Sequence, residues 1–127
     1  MSTSDSSRKR ILVVEDDEAV RKLITKALAS RYEIVDAADG LIATELLSVG
    51  TAPDLVIADI MMPHVDGLTL TRLMKSDPRL SRVPVIFLTA RTGADAMIRG
   101  IQAGAKHYME KPFVVANLVA RVHQILK

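Results

Sequence analysis

An aspartate at residue 59 closes the apolar run Leu55-Val56-Ile57-Ala58, with Pro53 before it and Pro63 and Gly67 after it. A short, continuous, β-favouring run bounded by such breakers predicts a strand buried on both faces, as in a parallel sheet. Ligand crevices in open parallel sheets lie just beyond the carboxyl ends of the strands, so Asp59 stands where chemistry is done. A second run, Ile11-Leu12-Val13-Val14, ends directly in Glu15-Asp16-Asp17-Glu18 and delivers further acids to such a position. Carboxylates drawn together repel one another, and the gap between them calls for a cation or protons. Hard oxygen ligands suit Mg²⁺, or alternatively Mn²⁺. Such an ion would also neutralise an incoming phosphate, and Asp59 could then attack phosphorus to give an acyl phosphate. Two more strand ends offer what a phosphoryl group needs: a hydroxyl donor at Thr89 and a compact cation at Lys111. Taken singly, a threonine there is a helix cap and a lysine before proline a turn residue. The specific signal is the combination, one group at the end of each of several strands.

The elements that must position these groups follow from periodicity. Val20, Leu23, Ile24, Ala27 and Leu28 have the spacing of one helix face. Tyr32–Ala37 is a strand of weaker pattern, and Asp39-Gly40 begins the loop after it. Ala43, Leu46 and Leu47 mark a second helix, closed by Gly50 and Pro53. Leu70, Leu73 and Met74 mark a third, which the Asp77-Pro78 step should stop. Residues 84–88 form the fourth strand, and a fourth helix is expected from about Gly93 to Gly104. Residues 106–109 form a short fifth strand, and Val115, Leu118, Val119, Val122 and Leu126 the face of a fifth helix. Five strands alternating with five helices predict an α/β fold with a parallel sheet covered on both faces. The commonest such arrangement is the flavodoxin-like, doubly wound (βα)5 sheet with strand order 2-1-3-4-5. In that order the first and third strands are neighbours, so Glu15, Asp16 and Asp59 converge.

Composition sets the bounds. A chain of 127 residues, 49% of them apolar, holds one domain with a proper core. Residues 1–9 have the polar composition of a disordered tail, leaving 10–127 as the domain. Seventeen Lys and Arg against fifteen Asp and Glu give a balance of +2, so direct nucleic-acid binding is not expected. The cluster Arg8-Lys9-Arg10 reads as a solvated boundary. There is no cysteine, which excludes disulfides and thiolate zinc sites. No signal peptide or spanning segment is visible, so no membrane association is expected and the protein should be cytoplasmic.

On the strings ILVVEDD, LVIADIMMPHVDG, PVIFLTA and KHYMEKPF the chain resembles a receiver domain of bacterial two-component response regulators, of the chemotaxis-regulator type, over residues 10–127. The resemblance implies a phosphorylation-controlled switch with Asp59 as phosphoacceptor. The donor would be a sensor histidine kinase or a histidine phosphotransfer protein. Asp16 and Asp59 would ligate Mg²⁺ directly, Glu15 through water, and Met61 through its backbone carbonyl. Glu15 departs from the aspartate the family often has there, which lengthens the reach of that group. Thr89 would be the switch hydroxyl and Tyr108 the aromatic that turns inward with it. Lys111 would hold the phosphoryl group, with a cis bond to Pro112. Output would pass through the face of the fourth helix, fifth strand and fifth helix to a downstream protein or an attached output domain. Chemistry would be limited to Mg²⁺-dependent self-phosphotransfer and self-dephosphorylation. Met61 and Arg91 lie where the family tunes phosphoryl lifetime, and they point to a fairly long-lived group. Asp17 and Glu18 are read as acids at a helix start, favoured by the dipole, and His64, His107 and His123 as non-catalytic.

Two other classes share parts of the pattern. An aspartyl phosphatase of the haloacid-dehalogenase type would need a second Asp two residues after the nucleophile, where this chain has Met61. A flavodoxin would need a Ser/Thr- and Gly-rich phosphate loop after the first strand, where this chain has four acids.

Overall fold

The structure, a computed structural model, describes residues 8–60, 65–89 and 107–127, with Thr89 described by its backbone only. In chain order the elements are β1 (Arg10–Val14), α1 (Glu18–Leu28), β2 (Glu33–Ala37), α2 (Gly40–Leu47), β3 (Leu55–Asp59), α3 (Gly67–Ser76), β4 (Val85–Thr89), β5 (His107–Glu110) and a C-terminal helix (Val115–Leu126). All four strand pairings are parallel and the sheet order is β2-β1-β3-β4-β5, as the alternation of elements predicts. The expected helix between Gly93 and Gly104 lies outside the described residues. Among the described residues no helix is long and apolar enough to cross a membrane.

The central strands β1, β3 and β4 carry unbroken apolar runs because both their faces are covered, and the two-residue period sorts the side chains into two cores, while the edge strands β2 and β5 are mixed. Leu12, Val14, Val56, Ala58, Val85 and Phe87 face one core, closed by α2 and α3 through Ala43, Leu47, Leu70 and Met74. Ile11, Val13, Leu55, Ile57, Ile86 and Leu88 face the other, closed by α1 and the C-terminal helix through Ile24, Leu28, Leu118 and Val122. The first three helices begin alike, each with an aspartate whose side chain accepts from a backbone N–H three residues on. The pairs are Asp17 with Val20, Asp39 with Ile42 and Asp66 with Thr69, at 3.1, 2.9 and 2.8 Å.

Two expectations are corrected. Asp39-Gly40 does not begin a loop: Asp39 is the N-cap of α2 and Gly40 its first residue. The capping side chain satisfies an N–H that would otherwise be orphaned, so the helix starts at once. Leu23, Leu46 and Leu73, expected on buried helix faces, are 51%, 36% and 46% exposed. Each precedes a second apolar residue, Ile24, Leu47 or Met74, and in all three pairs the second is the one buried. Consecutive helical side chains diverge by about 100°, so only one of each pair can point at the sheet.

Candidate functional site

The site is assembled by strand register. Val14 of β1 lies opposite Ala58 of β3, so Glu15 and Asp59, one step further on, are side by side. Asp59 lies opposite Leu88, and Thr89 opposite Glu110, which brings Lys111 to the same edge of the sheet. Two backbone bonds extend β3 beyond Asp59: the Ile60 N–H donates to Leu88 at 3.0 Å, and the Gly67 N–H donates to Ile60 at 3.0 Å. Gly67 sits so close that a Cβ there would lie 2.5 Å from the carbonyl oxygen of Asp59. Glycine is therefore required for α3 to start against the acid.

Lys111 bridges the two buried carboxylates. Its Nζ donates to Asp59 Oδ2 at 2.8 Å and lies 2.7 Å from Glu15 Oε1. The contact to Glu15 Oε1 lacks hydrogen-bond geometry, so that oxygen is buried with a counter-charge but no hydrogen bond. Glu15 Oε2 accepts from the Asp17 N–H at 3.0 Å. Glu15 is fully buried and Asp59 nearly so, whereas Asp16 is exposed. One carboxylate oxygen from each of Glu15, Asp16 and Asp59 lies within 4.8 Å of the others. This all-oxygen donor set, with one orphaned oxygen inside it, fits a hard divalent cation.

Electrostatics follow from burial. Loss of water pushes the Glu15 carboxyl up to about 7, and the Asp59 charge adds to the push. Lys111 and the Asp17 N–H oppose it without overcoming it. For Lys111, burial acts to lower the pKa, but the hydrogen bond to Asp59, the contact with Glu15 and both negative charges outweigh it. The ammonium is thus held above its ordinary range.

The chain matches a known family over nearly its whole length, the response regulator receiver domain, at residues 11–123. The chain belongs to this family. Among curated relatives, the DNA-binding dual master transcriptional regulator RpaA of Synechocystis is 38% identical over 119 residues, covering 93% of this chain and 49% of that protein. The chain spans about half the length of the first curated relatives it matches. A putative response regulator from Chloroflexus aurantiacus superposes with a TM-score of 0.88 at 35% identity, covering 94% of this chain and 98% of that one. The Mn²⁺-bound form of the response regulator Rcp1 superposes at 0.78 with 29% identity, covering 92% and 91%. Receiver domains are phosphorylation-dependent signalling switches that bind a divalent metal, not enzymes in the ordinary sense.

Of the residues singled out from sequence, the structure brings together Glu15, Asp16, Asp59 and Lys111. It puts the Thr89 backbone at the carboxyl end of β4. Tyr108 is half-buried on β5 and packs against the core on the α2 and α3 side. The Lys111-Pro112 bond is cis. Met61, His64 and Arg91 lie outside the described residues. Sequence reasoning missed Arg21, whose guanidinium donates to the Glu15 carbonyl at 2.8 Å and pairs with Asp36 at 3.4 Å. The available signal was a cation near the start of α1, where the helix dipole disfavours it. It also missed the demand for glycine at position 67.

Proposed function

We propose that this chain is a phosphoryl-accepting switch in which Asp59 takes the phosphoryl group. The observation that carries this reading is the Lys111 ammonium held at 2.7 and 2.8 Å between two buried carboxylates, Glu15 and Asp59. In an otherwise apolar sheet, such a group is costly and is retained for chemistry.

A carboxylate oxygen of Asp59 forms a bond to phosphorus while the P–N bond of a phosphohistidine breaks, its electron pair leaving on the imidazole nitrogen. The donor is the phosphohistidine of a sensor kinase or of a phosphotransfer protein. Glu15, Asp16, Asp59 and the Met61 carbonyl would hold Mg²⁺, which supplies charge neutralisation at the phosphoryl oxygens. Lys111, already at Asp59, moves its ammonium from the unphosphorylated carboxylate to the phosphoryl oxygens, and the Thr89 hydroxyl donates to the same group. Tyr108 responds by repacking against the core. The groove between β5 and the C-terminal helix, lined by Tyr108, Met109, Phe113, Val114, Asn117 and Arg121, then changes shape for a downstream partner. Hydrolysis of the acyl phosphate, at the same site, resets it. In this reading the receiver unit runs from residue 10, after a polar tail of residues 1–9.

The test is intact-mass spectrometry after incubation with acetyl phosphate and Mg²⁺, beside Asp59→Asn and an EDTA control. One base-labile phosphoryl adduct, absent from both controls, is the expected result. No adduct, under conditions that charge a receiver domain known to accept phosphate, would sink the reading.

A further inference from the structure

Arg21 stands where an arginine has least to gain. It lies near the start of α1, where the helix dipole disfavours a cation, and its side chain is only 16% exposed. Its contacts must offset both costs.

Those contacts reach two strands. The guanidinium Nη1 donates to the Glu15 carbonyl at 2.8 Å, and Nε lies 3.4 Å from Asp36 Oδ2. Glu15 directly follows β1, and Asp36 is the residue of β2 opposite Val13. The Asp36 side chain is 48% exposed, so that ion pair contributes little stability by itself. The bond to the Glu15 carbonyl is charge-assisted and partly buried, and it is the stronger of the two.

The peptide held in this way joins the two acids. Because the unit is planar, fixing its carbonyl fixes Glu15 and Asp16 relative to each other. Glu15 has other anchors: its N–H donates to the Ala37 carbonyl at 3.1 Å, and its carboxylate meets Lys111 and the Asp17 N–H. Asp16 is exposed, and among the described residues its carboxylate has no hydrogen bond or ion pair. The direction in which it offers its oxygens is therefore set by its backbone. Arg21 grips that backbone on both sides, since its own N–H also donates to the Asp17 carbonyl at 2.9 Å.

We propose that Arg21 is a positioning residue for the divalent cation. Its guanidinium, tethered by Asp36, holds the Glu15–Asp16 peptide so that Asp16 meets the same ion as Glu15 and Asp59. The proposal rests on the reading of these three acids as a metal site. Loss of a group that orients a metal ligand typically weakens binding by about 10- to 100-fold. Charge and position here predict opposite signs. A cation so close to the site repels a divalent ion, so removing Arg21 as a mere charge tightens metal binding. Removing it as a clamp loosens metal binding.

The experiment measures Mn²⁺ affinity of the full chain from the electron paramagnetic resonance signal of the free ion. Urea midpoints of the metal-free protein establish that each variant is folded. Arg21→Met, which keeps the aliphatic stem and removes the donors, is expected to weaken Mn²⁺ binding by about tenfold. Arg21→Lys keeps the charge, but one ammonium cannot span the Glu15 carbonyl and Asp36, and binding weakens several-fold. That variant carries the test should Arg21→Met fail to fold. Asp36→Asn weakens binding by about threefold and adds nothing when combined with Arg21→Met, because both act through one contact. Unchanged or tighter Mn²⁺ binding in a folded Arg21 variant overturns the proposal, as do effects of Asp36→Asn and Arg21→Met that add in full. A parent chain that binds no Mn²⁺ overturns the metal reading as well, so the two failures are distinguishable.

Discussion

The two ends of the sheet hold the same ingredients in opposite settings. At the amino end, Arg10 pairs with Glu33 at 3.1 Å, its backbone N–H donates to Asp54 at 2.8 Å, and its guanidinium donates to the Thr51 carbonyl at 3.3 Å. One cation and two acids meet there in water, with Arg10 and Glu33 side chains 34% and 41% exposed. At the carboxyl end, one cation and two acids meet again as Lys111, Glu15 and Asp59, now 25%, 0% and 8% exposed. Solvated charges screen one another and hold little free energy. Buried ones depend on each other entirely, because removing any member leaves the rest uncompensated in a poor solvent. Burial, not residue type, makes the difference between a surface staple and a site.

Substitution of Lys111 by Ala should open the largest gap between the two ends. It removes the ammonium from between Glu15 and Asp59 and should destabilise the metal-free domain by about 4 kcal/mol. Saturating Mg²⁺ should recover much of that loss, a comparison that denaturant titration with and without the ion would make. Recovery that fails to appear would mean that the ammonium and the cation do not neutralise the same charges.

A pH titration of the metal-free domain probes the same end. Because burial raises Glu15 from an ordinary 4.5 to about 7, the folded state binds the extra proton between those values. Stability should therefore fall as pH rises through this window, by on the order of 3 kcal/mol, and the penalty should be absent below about 4.5. Lys111 does not blur the window: its raised pKa means that its contribution is lost only above 10.5. Urea midpoints at pH 5 and pH 8 give the comparison, and Glu15→Gln should flatten it.

Gly67→Ala is expected to cost about 2 kcal/mol, because the new Cβ meets the Asp59 carbonyl at 2.5 Å and α3 must retreat. The same variant should slow phosphoryl transfer from acetyl phosphate, since the backbone that carries Asp59 shifts with it. The smallest effect belongs to the amino end. Glu33→Ala should change stability by about 0.5 kcal/mol and leave phosphorylation untouched, as thermal melts and mass spectrometry would both register.

Which parts of this were legible beforehand depends on how local the signal is. The strand runs Ile11–Val14 and Leu55–Ala58 and the breakers around them are local, and they placed Asp59 at a strand end without any tertiary information. The helix-face residues were less legible. Period alone cannot say which of Leu23 and Ile24, or Leu46 and Leu47, faces the sheet, because an apolar pair straddles the stripe and only packing decides. The cap at Asp39 was hidden for a similar reason: an aspartate before glycine opens loops and helices alike, and the Ile42 N–H that selects the helix is provided by the fold.

By itself, the sequence determined the alternation of strands and helices, the chemistry available at Glu15, Asp16, Asp59 and Lys111, and the family to which they belong. Tertiary structure decided that Lys111 lies between Glu15 and Asp59, that Glu15 is wholly buried, that Arg21 holds the Glu15 carbonyl, and that α2 carries its aliphatic side chains into solvent. Residue type and period act over one or two turns of chain. Lys111 and Asp59 are 52 residues apart, and their 2.8 Å contact is set by the register of three parallel strands that meet only when the sheet forms.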